Sequence, residues 1–257
     1  MRNKINLACG DNYIVSNEWL NVDFESNSKN VKKINLLKKL PFPDNSFEII
    51  YSSHFIEHID YNQVDSFLSE CSRILKPGGS IRIVTPDFEK LCKFYLNYLE
   101  KKEFEKKEFL MFQILDQLVR KKGGGGLRSK INNYKSNKEM LKFINYWNGE
   151  DIKALSKKKF AEKIYKKFFN LYIKFILIFL PKSFKMSNMS LTDIGEKHQW
   201  LWDFDSLSKK IANANLYEIK KKTFNETDIN NLELKDLDYI NEDTPRKGHN
   251  SMYIEAK

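Results

Sequence analysis

The chain has 257 residues, 41% hydrophobic and 14% aromatic, enough for one large domain or a domain with a substantial insert. Lys and Arg outnumber Asp and Glu by 44 to 34, a formal charge of +10. The three cysteines, Cys9, Cys71 and Cys92, are far apart and odd in number, which excludes a disulfide framework and fits a reducing compartment, so a cytoplasmic protein is expected. No uncharged apolar run reaches the length of a spanning helix, and no signal core follows Met1-Arg2-Asn3-Lys4.

The first apolar run, Ile5 to Ala8, leads into a small-residue corner, Ala8-Cys9-Gly10. A second, Leu20 to Val22, stops on Asp23. The pair reads as strand, tight turn and strand, the second ending in a carboxylate whose acceptor oxygens suit the diol of a ribose. A structural turn would look the same. The next strand is expected to end near Ile34-Asn35-Leu36, and Leu40 to Ser46 is a loop by its prolines and its Asp-Asn-Ser cluster. Phe47 to Tyr51 is apolar almost throughout, as a strand covered on both faces should be. A short helix is expected over Phe55 to Ile59. Val64, Phe67, Leu68, Cys71, Ile74 and Leu75 recur at helical spacing, and Lys76-Pro77-Gly78-Gly79 should end that helix in a turn. Ser80 to Val84 is a fifth strand, stopped by Thr85-Pro86-Asp87. Strands alternating with helices imply an α/β fold with a parallel sheet.

Three segments carry a family resemblance: INLACGDNY with WLNVD, then LPFPDNSFEIIYSSHFIEHI, then RILKPGGSIRIVTPD. In this order they resemble the class I S-adenosylmethionine-dependent methyltransferases of the type 11 kind. KHQWLWDFDSLSKKIANANLYEI and NSMYIEAK resemble the C-terminal loop, helix, strand and final antiparallel strand of one branch, associated with surface-polysaccharide pathways. The resemblance implies a Rossmann-like, seven-stranded, mostly parallel sheet with a large helical insert after the fifth strand. Residues 1–88 and 196–257 would form the core and 89–195 the insert. It also implies S-adenosylmethionine as methyl donor and S-adenosylhomocysteine as product. Ala8, Cys9 and Gly10 fall on the loop that holds the cofactor's methionine part, and Asp23 on the ribose-binding acid. Asn35 and Leu36 fall beside the adenine; Ser52, Ser53 and His54 fall at the end of the fourth strand. Ala8 stands for a common glycine, and Asn35 for a common aspartate. Gly10 and Asp23 are close, so the first crossover helix is expected to be one or two turns at most.

Within the insert, Leu91 to Tyr98 has helical periodicity that the charge-mixed run to Glu108 continues, and Phe109 to Leu118 reads as another helical segment. Gly123 to Gly126 breaks it. From Lys153 to Lys185 there are ten lysines and one acid, with Phe160, Ile164, Phe168, Leu171, Phe175 and Ile178 at helical spacing. This stretch is either a cap helix with solvated lysines or a peripheral dock on the inner face of an anionic membrane. Lysines dominate over arginines and no nucleic-acid motif is present, so nucleic acid is not expected.

Methyl transfer to a hydroxyl needs in-line placement and a base. The methyl donor is already activated, and no metal-ligand spacing is seen, so no metal is expected. The candidate catalytic groups are His54, at the carboxyl edge after the fourth strand, His198, in the loop returning from the insert, and Asp87, after the fifth strand. His58 and His249 read as structural. Trp200 and Trp202 either stack on a ring-shaped acceptor or pack; Arg246 binds an anionic group or pairs on the surface. The expected acceptor is a small molecule or glycan precursor, phosphate-bearing in one version. Membrane-borne lipids or quinones, and a non-catalytic binding module, are the alternatives.

Overall fold

The computed structural model describes residues 2–26, 28–121, 125–149, 179, 195 and 197–257. The stretch from Lys153 to Lys185 and the first half of the glycine run therefore lie outside the described residues, Phe179 alone excepted.

A seven-stranded sheet forms the frame. β1 (Lys4–Leu7), β2 (Trp19–Asp23), β3 (Val31–Lys33), β4 (Phe47–Ser53) and β5 (Leu75–Pro86) run parallel, and β9 (Ser251–Ala256) runs antiparallel between β5 and β6 (Lys220–Lys222). The order is β3-β2-β1-β4-β5-β9-β6. β1 and β9 are buried at every position, Lys4, Asn6, Ser251 and Glu255 included, because both faces of these central strands are covered. The expected α/β sheet and its antiparallel final strand are thus present.

Two helices cover one face. α1 (Val64–Ile74) turns Val64, Phe67, Leu68, Cys71 and Ile74 inward. α6 (Phe204–Asn213) starts in a capping box, Asp203 accepting from Ser206 N, and buries Leu207 and Ile211 against α1 and the sheet. Each of those side chains contributes about 1.5–3 kcal/mol by leaving water. After β5 the chain leaves the sheet into α2 (Phe88–Glu100), α3 (Phe104–Val119), α4 (Leu127–Asn133) and α5 (Lys138–Asn148). These helices hold their own apolar cluster around Phe109, Leu110, Ile144 and Trp147. The cluster's last helix docks on the sheet domain where Gly149 and Gly248 meet. A Cβ on Gly248 would lie 2.3 Å from the Trp147 carbonyl oxygen, so neither backbone tolerates a side chain there. A short helix α7 (Leu234–Leu237) and the hairpin β7 (Tyr239–Asn241) and β8 (Thr244–Pro245) complete the described elements.

Several local expectations are corrected. Among the described residues no helix joins β1 to β2. Asn6 and Asn21 donate instead to the carbonyls of Asn12 and Ile14, and Ser16 Oγ accepts from the Glu18 and Trp19 amides. These side chains offer the backbone an alternative to helical hydrogen bonds. β3 ends at Lys33, before Ile34-Asn35-Leu36. The helix expected at Phe55–Ile59 is a single 3-10 turn, Ile56–His58, followed by an Asp60 turn that accepts from Asn62 N. Lys76 to Gly79 belongs to the start of β5, where the register with β4 shifts between Phe47 and Ile49. The helix expected to continue from Leu91 to Glu108 breaks at Lys101–Glu103, with Lys102 at φ 58°. The strand expected to end the segment KHQWLWDFDSLSKKIANANLYEI starts just beyond it, at Lys220.

The other sheet face is pinned by a buried charge network. Arg82 Nε donates to Asp238 Oδ2 at 2.7 Å and Nη1 to Glu255 Oε1 at 2.6 Å, while Tyr51 donates to Asp238 Oδ1 at 2.6 Å. Arg82 also donates to the carbonyls of Thr223 and Glu226. Removing the one cation strands two buried carboxylates. Arg82→Met is therefore expected to lower stability by about 3–5 kcal/mol in urea denaturation.

Candidate active site

The strand order reverses between β1 and β4, which opens a crevice at the carboxyl ends of those strands. The corner after β1 lines it. Ala8 and Gly10 both adopt left-handed backbone, φ 56° and 54°. A Cβ on Gly10 would meet nothing within 4 Å, so the space above this backbone is open. Cys9 between them is buried, and burial pushes its thiol up to about 12, too high for a nucleophile at neutral pH.

Asp23 ends β2 and faces the same corner. Its Oδ2 accepts from Gly10 N at 2.8 Å, and Oδ1 from Glu25 N at 3.2 Å. Each carboxylate oxygen has a second lone pair, so the acid can still accept from a diol. Asn35 is exposed and spends its Oδ1 on Leu37 N at 3.0 Å, which leaves its amide NH2 to a ligand; Leu36 beside it is buried. At the end of β4 the Ser52 and Ser53 hydroxyls are buried without a hydrogen-bond partner. An open backbone cradle, a carboxylate and two orphaned hydroxyls fit a nucleoside carrying an amino-acid chain. Of the expected cofactor-binding residues, Gly10 and Asp23 are in direct contact.

His54 stands at the hinge between that crevice and a buried cluster. Its backbone is left-handed, φ 53°, and its amide donates to the Val84 carbonyl at 2.8 Å. The ring is bracketed: Nδ1 lies 3.3 Å from Glu57 Oε1 and Nε2 lies 3.0 Å from Ser251 Oγ. Glu57 is fully buried and accepts from Thr85 Oγ1 at 3.1 Å through Oε2. Burial opposes its charge, yet the His54, His58 and His198 rings outweigh that and hold it well below the ordinary carboxylate range. His58 Nδ1 lies 2.8 Å from the Lys197 carbonyl oxygen. His198 is buried against it, ring centroids 4.8 Å apart, and burial, against the attraction of Glu57, pushes its imidazole down to about 3. Donor atoms of Glu57, His58 and His198 lie within 4.8 Å of one another. Two of these residues are adjacent and the third comes from a loop about 140 positions on, a pattern without a spacing signature.

Asp87 plays a different part. It is the N-cap of α2, Oδ1 accepting from Lys90 N at 3.0 Å, and Oδ2 pairs with Lys221 Nζ at 2.8 Å. It borders a cleft of about 360 Å³, lined also by Lys90, Lys221, His249, Ser251 and Tyr253. The serine that touches His54 therefore also lines this cleft. Trp202 is fully buried and packs, its Nε1 donating to the Ile56 carbonyl, whereas Trp200 is 43% exposed beside Tyr61. Arg246 donates to the Tyr239 carbonyl. Glu57, Lys90, Lys221 and Ser251 were not singled out by sequence reasoning. For Glu57 a signal existed: one acid inside an otherwise apolar run, between two histidines.

Residues 16–83 match the family model described as Methyltransferase domain. A probable S-adenosylmethionine-dependent methyltransferase of Mycolicibacterium smegmatis is 41% identical over 51 residues, 20% of this chain and 19% of that protein. The match thus spans about a fifth of the relative's length. Among solved structures, a SAM-dependent methyltransferase from Archaeoglobus fulgidus aligns with all of this chain and 86% of its own, at 16% identity and a TM-score of 0.43. A possible histamine N-methyltransferase from Thermotoga maritima aligns over 99% and 81%, at 12% identity and 0.42.

The left-handed Ala8 gives one direct test. A side chain in this conformation costs roughly 1–2 kcal/mol, and glycine loses about 0.5–1 kcal/mol more chain entropy on folding. Ala8→Gly is therefore expected to raise stability by about 0.5–1 kcal/mol, read by urea denaturation. The strand order is that of a Rossmann-like sheet, and residues 16–83 of the chain carry the match to a methyltransferase-domain model.

Proposed function

We propose that the chain transfers the methyl group of S-adenosylmethionine to a hydroxyl of a sugar or glycan precursor, phosphate-bearing, held in the cleft beside Asp87. The observation that carries this is a continuous path of side chains: cofactor crevice, His54, Ser251, cleft. When bound, the cofactor supplies an activated methyl group on a sulfonium. Gly10, Asp23, Asn35 and the Ser52 and Ser53 hydroxyls would hold it.

His54 is the group best placed to take the acceptor's proton. The Glu57 carboxylate faces Nδ1 and favours the proton there, which leaves Nε2 as the basic atom toward the cleft. His198 is buried and weakly basic, and Asp87 has both oxygens engaged, so those two support the site rather than move a proton. Lys90, Lys93, Lys221 and Lys222 around the cleft favour an anionic group on the acceptor. A surface-polysaccharide precursor would answer that description. The basic stretch Lys153–Lys185 favours a second reading, a lipid-borne acceptor at an anionic membrane. Sedimentation with anionic vesicles distinguishes the two, since salt-sensitive binding is expected only for the second.

Isothermal titration with S-adenosylmethionine tests the cofactor part. Hydrogen bonds to a charged group contribute about 1.5–3 kcal/mol each, so Asp23→Ala is expected to weaken binding by roughly 100-fold or more. Absence of heat in wild type would refute the proposal. Labelled methyl donor with paired acceptors, phosphorylated and not, tests the rest. Lys90→Ala and Lys221→Ala are expected to raise KM for the phosphorylated member of each pair by roughly 10-fold, with kcat little changed.

A further inference from the structure

We infer that Glu57, His58 and His198 form a binding site for one divalent first-row transition-metal ion. The inference does not rest on the methyl-transfer reading, because it is drawn from the buried cluster alone. Two atoms there are orphaned: Glu57 Oε1 and His198 Nδ1 are buried without a hydrogen-bond partner. His54 Nδ1 stands 3.3 Å from Glu57 Oε1, at ion-pair distance, and leaves that oxygen a second lone pair. A fully buried carboxylate and a lone imidazole nitrogen left this way are costly, and a shared cation satisfies both.

The tautomers support the same conclusion. His58 Nδ1 lies 2.8 Å from the Lys197 carbonyl oxygen, which can only accept, so Nδ1 carries the proton and Nε2 the lone pair. That Nε2 is 3.8 Å from Glu57 Oε1. A backbone carbonyl on the far nitrogen is the usual support of a metal-binding histidine. Glu57 has the matching support from Thr85 Oγ1 on Oε2. Oε1 keeps a second lone pair, so it can ligate an ion and still face His54.

The three donor atoms lie within 4.8 Å of one another. Around an ion at about 2.1 Å from each, donors stand about 3.4 Å apart, which small side-chain rotations here would reach. Two imidazoles and one carboxylate suit zinc, cobalt, manganese or iron(II) better than magnesium, which prefers an all-oxygen shell. Three protein donors leave at least one position for water or an acceptor oxygen. The ion would sit one residue's reach from His54, on the side away from Ser251.

The test uses the full chain, stripped with chelator and dialysed. Cobalt titration is followed by visible absorption, and zinc binding by competition with a chromophoric chelator. The expected result is one ion per chain, visible bands typical of four or five ligands, and a raised melting temperature with zinc but not with equimolar magnesium. Glu57→Gln and His198→Asn are each expected to weaken zinc binding at least 100-fold, while His249→Ala leaves it unchanged. Retained calorimetric binding of S-adenosylmethionine would show that the variants fold. Because the stoichiometry and the cobalt spectrum are read on wild type, a variant that fails to fold leaves the test intact. Wild type without a micromolar site, or the same affinity in both variants, would overturn the inference. A null result here alongside intact cofactor binding removes the metal site and leaves the proposed function standing.

Discussion

A carboxylate with no access to water must be paired or neutralised, and Glu57 is only partly paired. Its side chain faces His54, His58 and Thr85, and its backbone carbonyl accepts from the Gln199 and Trp200 amides at 2.7 and 3.2 Å. One residue therefore fixes the tip of β4, the end of β5 and the loop that returns from the helical insert. His54, with its left-handed backbone, is aimed by that arrangement and not by its own local sequence. Strain of this kind persists only where the surroundings over-determine it.

The two faces of the sheet solve the same electrostatic problem differently. On one face Arg82 meets Asp238 and Glu255 directly, with Tyr51 and two carbonyls taking the remaining hydrogen-bond capacity. That network is closed and structural. Around Glu57 the partners are imidazoles, whose charge and donor pattern can change, and two atoms are left unsatisfied. The closed network immobilises the strands; the open one lies where chemistry is expected.

The frame was legible in the sequence for a simple reason. Strands covered on both faces must be apolar runs, and β1, β4 and the end of β5 are such runs, each followed by small or polar residues. The corner after β1 was legible because Ala8, Cys9, Gly10 and Asp23 are close in sequence. What pattern could not supply is proximity between distant segments. The meeting of His198 with His58, and of Lys221 with Asp87, depends on how the insert returns and on the pairing of β6 with β9. Boundaries failed where short polar side chains compete for the backbone, as Asn6, Ser16 and Asn21 do between β1 and β2. The α5 helix went unread although Met140, Phe143, Ile144 and Trp147 recur at helical spacing.

The insert leaves the core and returns to it at almost the same place. Phe88 N donates to the Trp202 carbonyl at 3.0 Å, and Asp87 and Trp202 form a parallel bridge. A second joint lies at α5, where the His249 and Asn250 amides donate to the Tyr146 and Trp147 carbonyls at 3.1 and 3.2 Å. A change in the helices between these two joints would be felt by β9, whose first residues follow directly on the α5 contact.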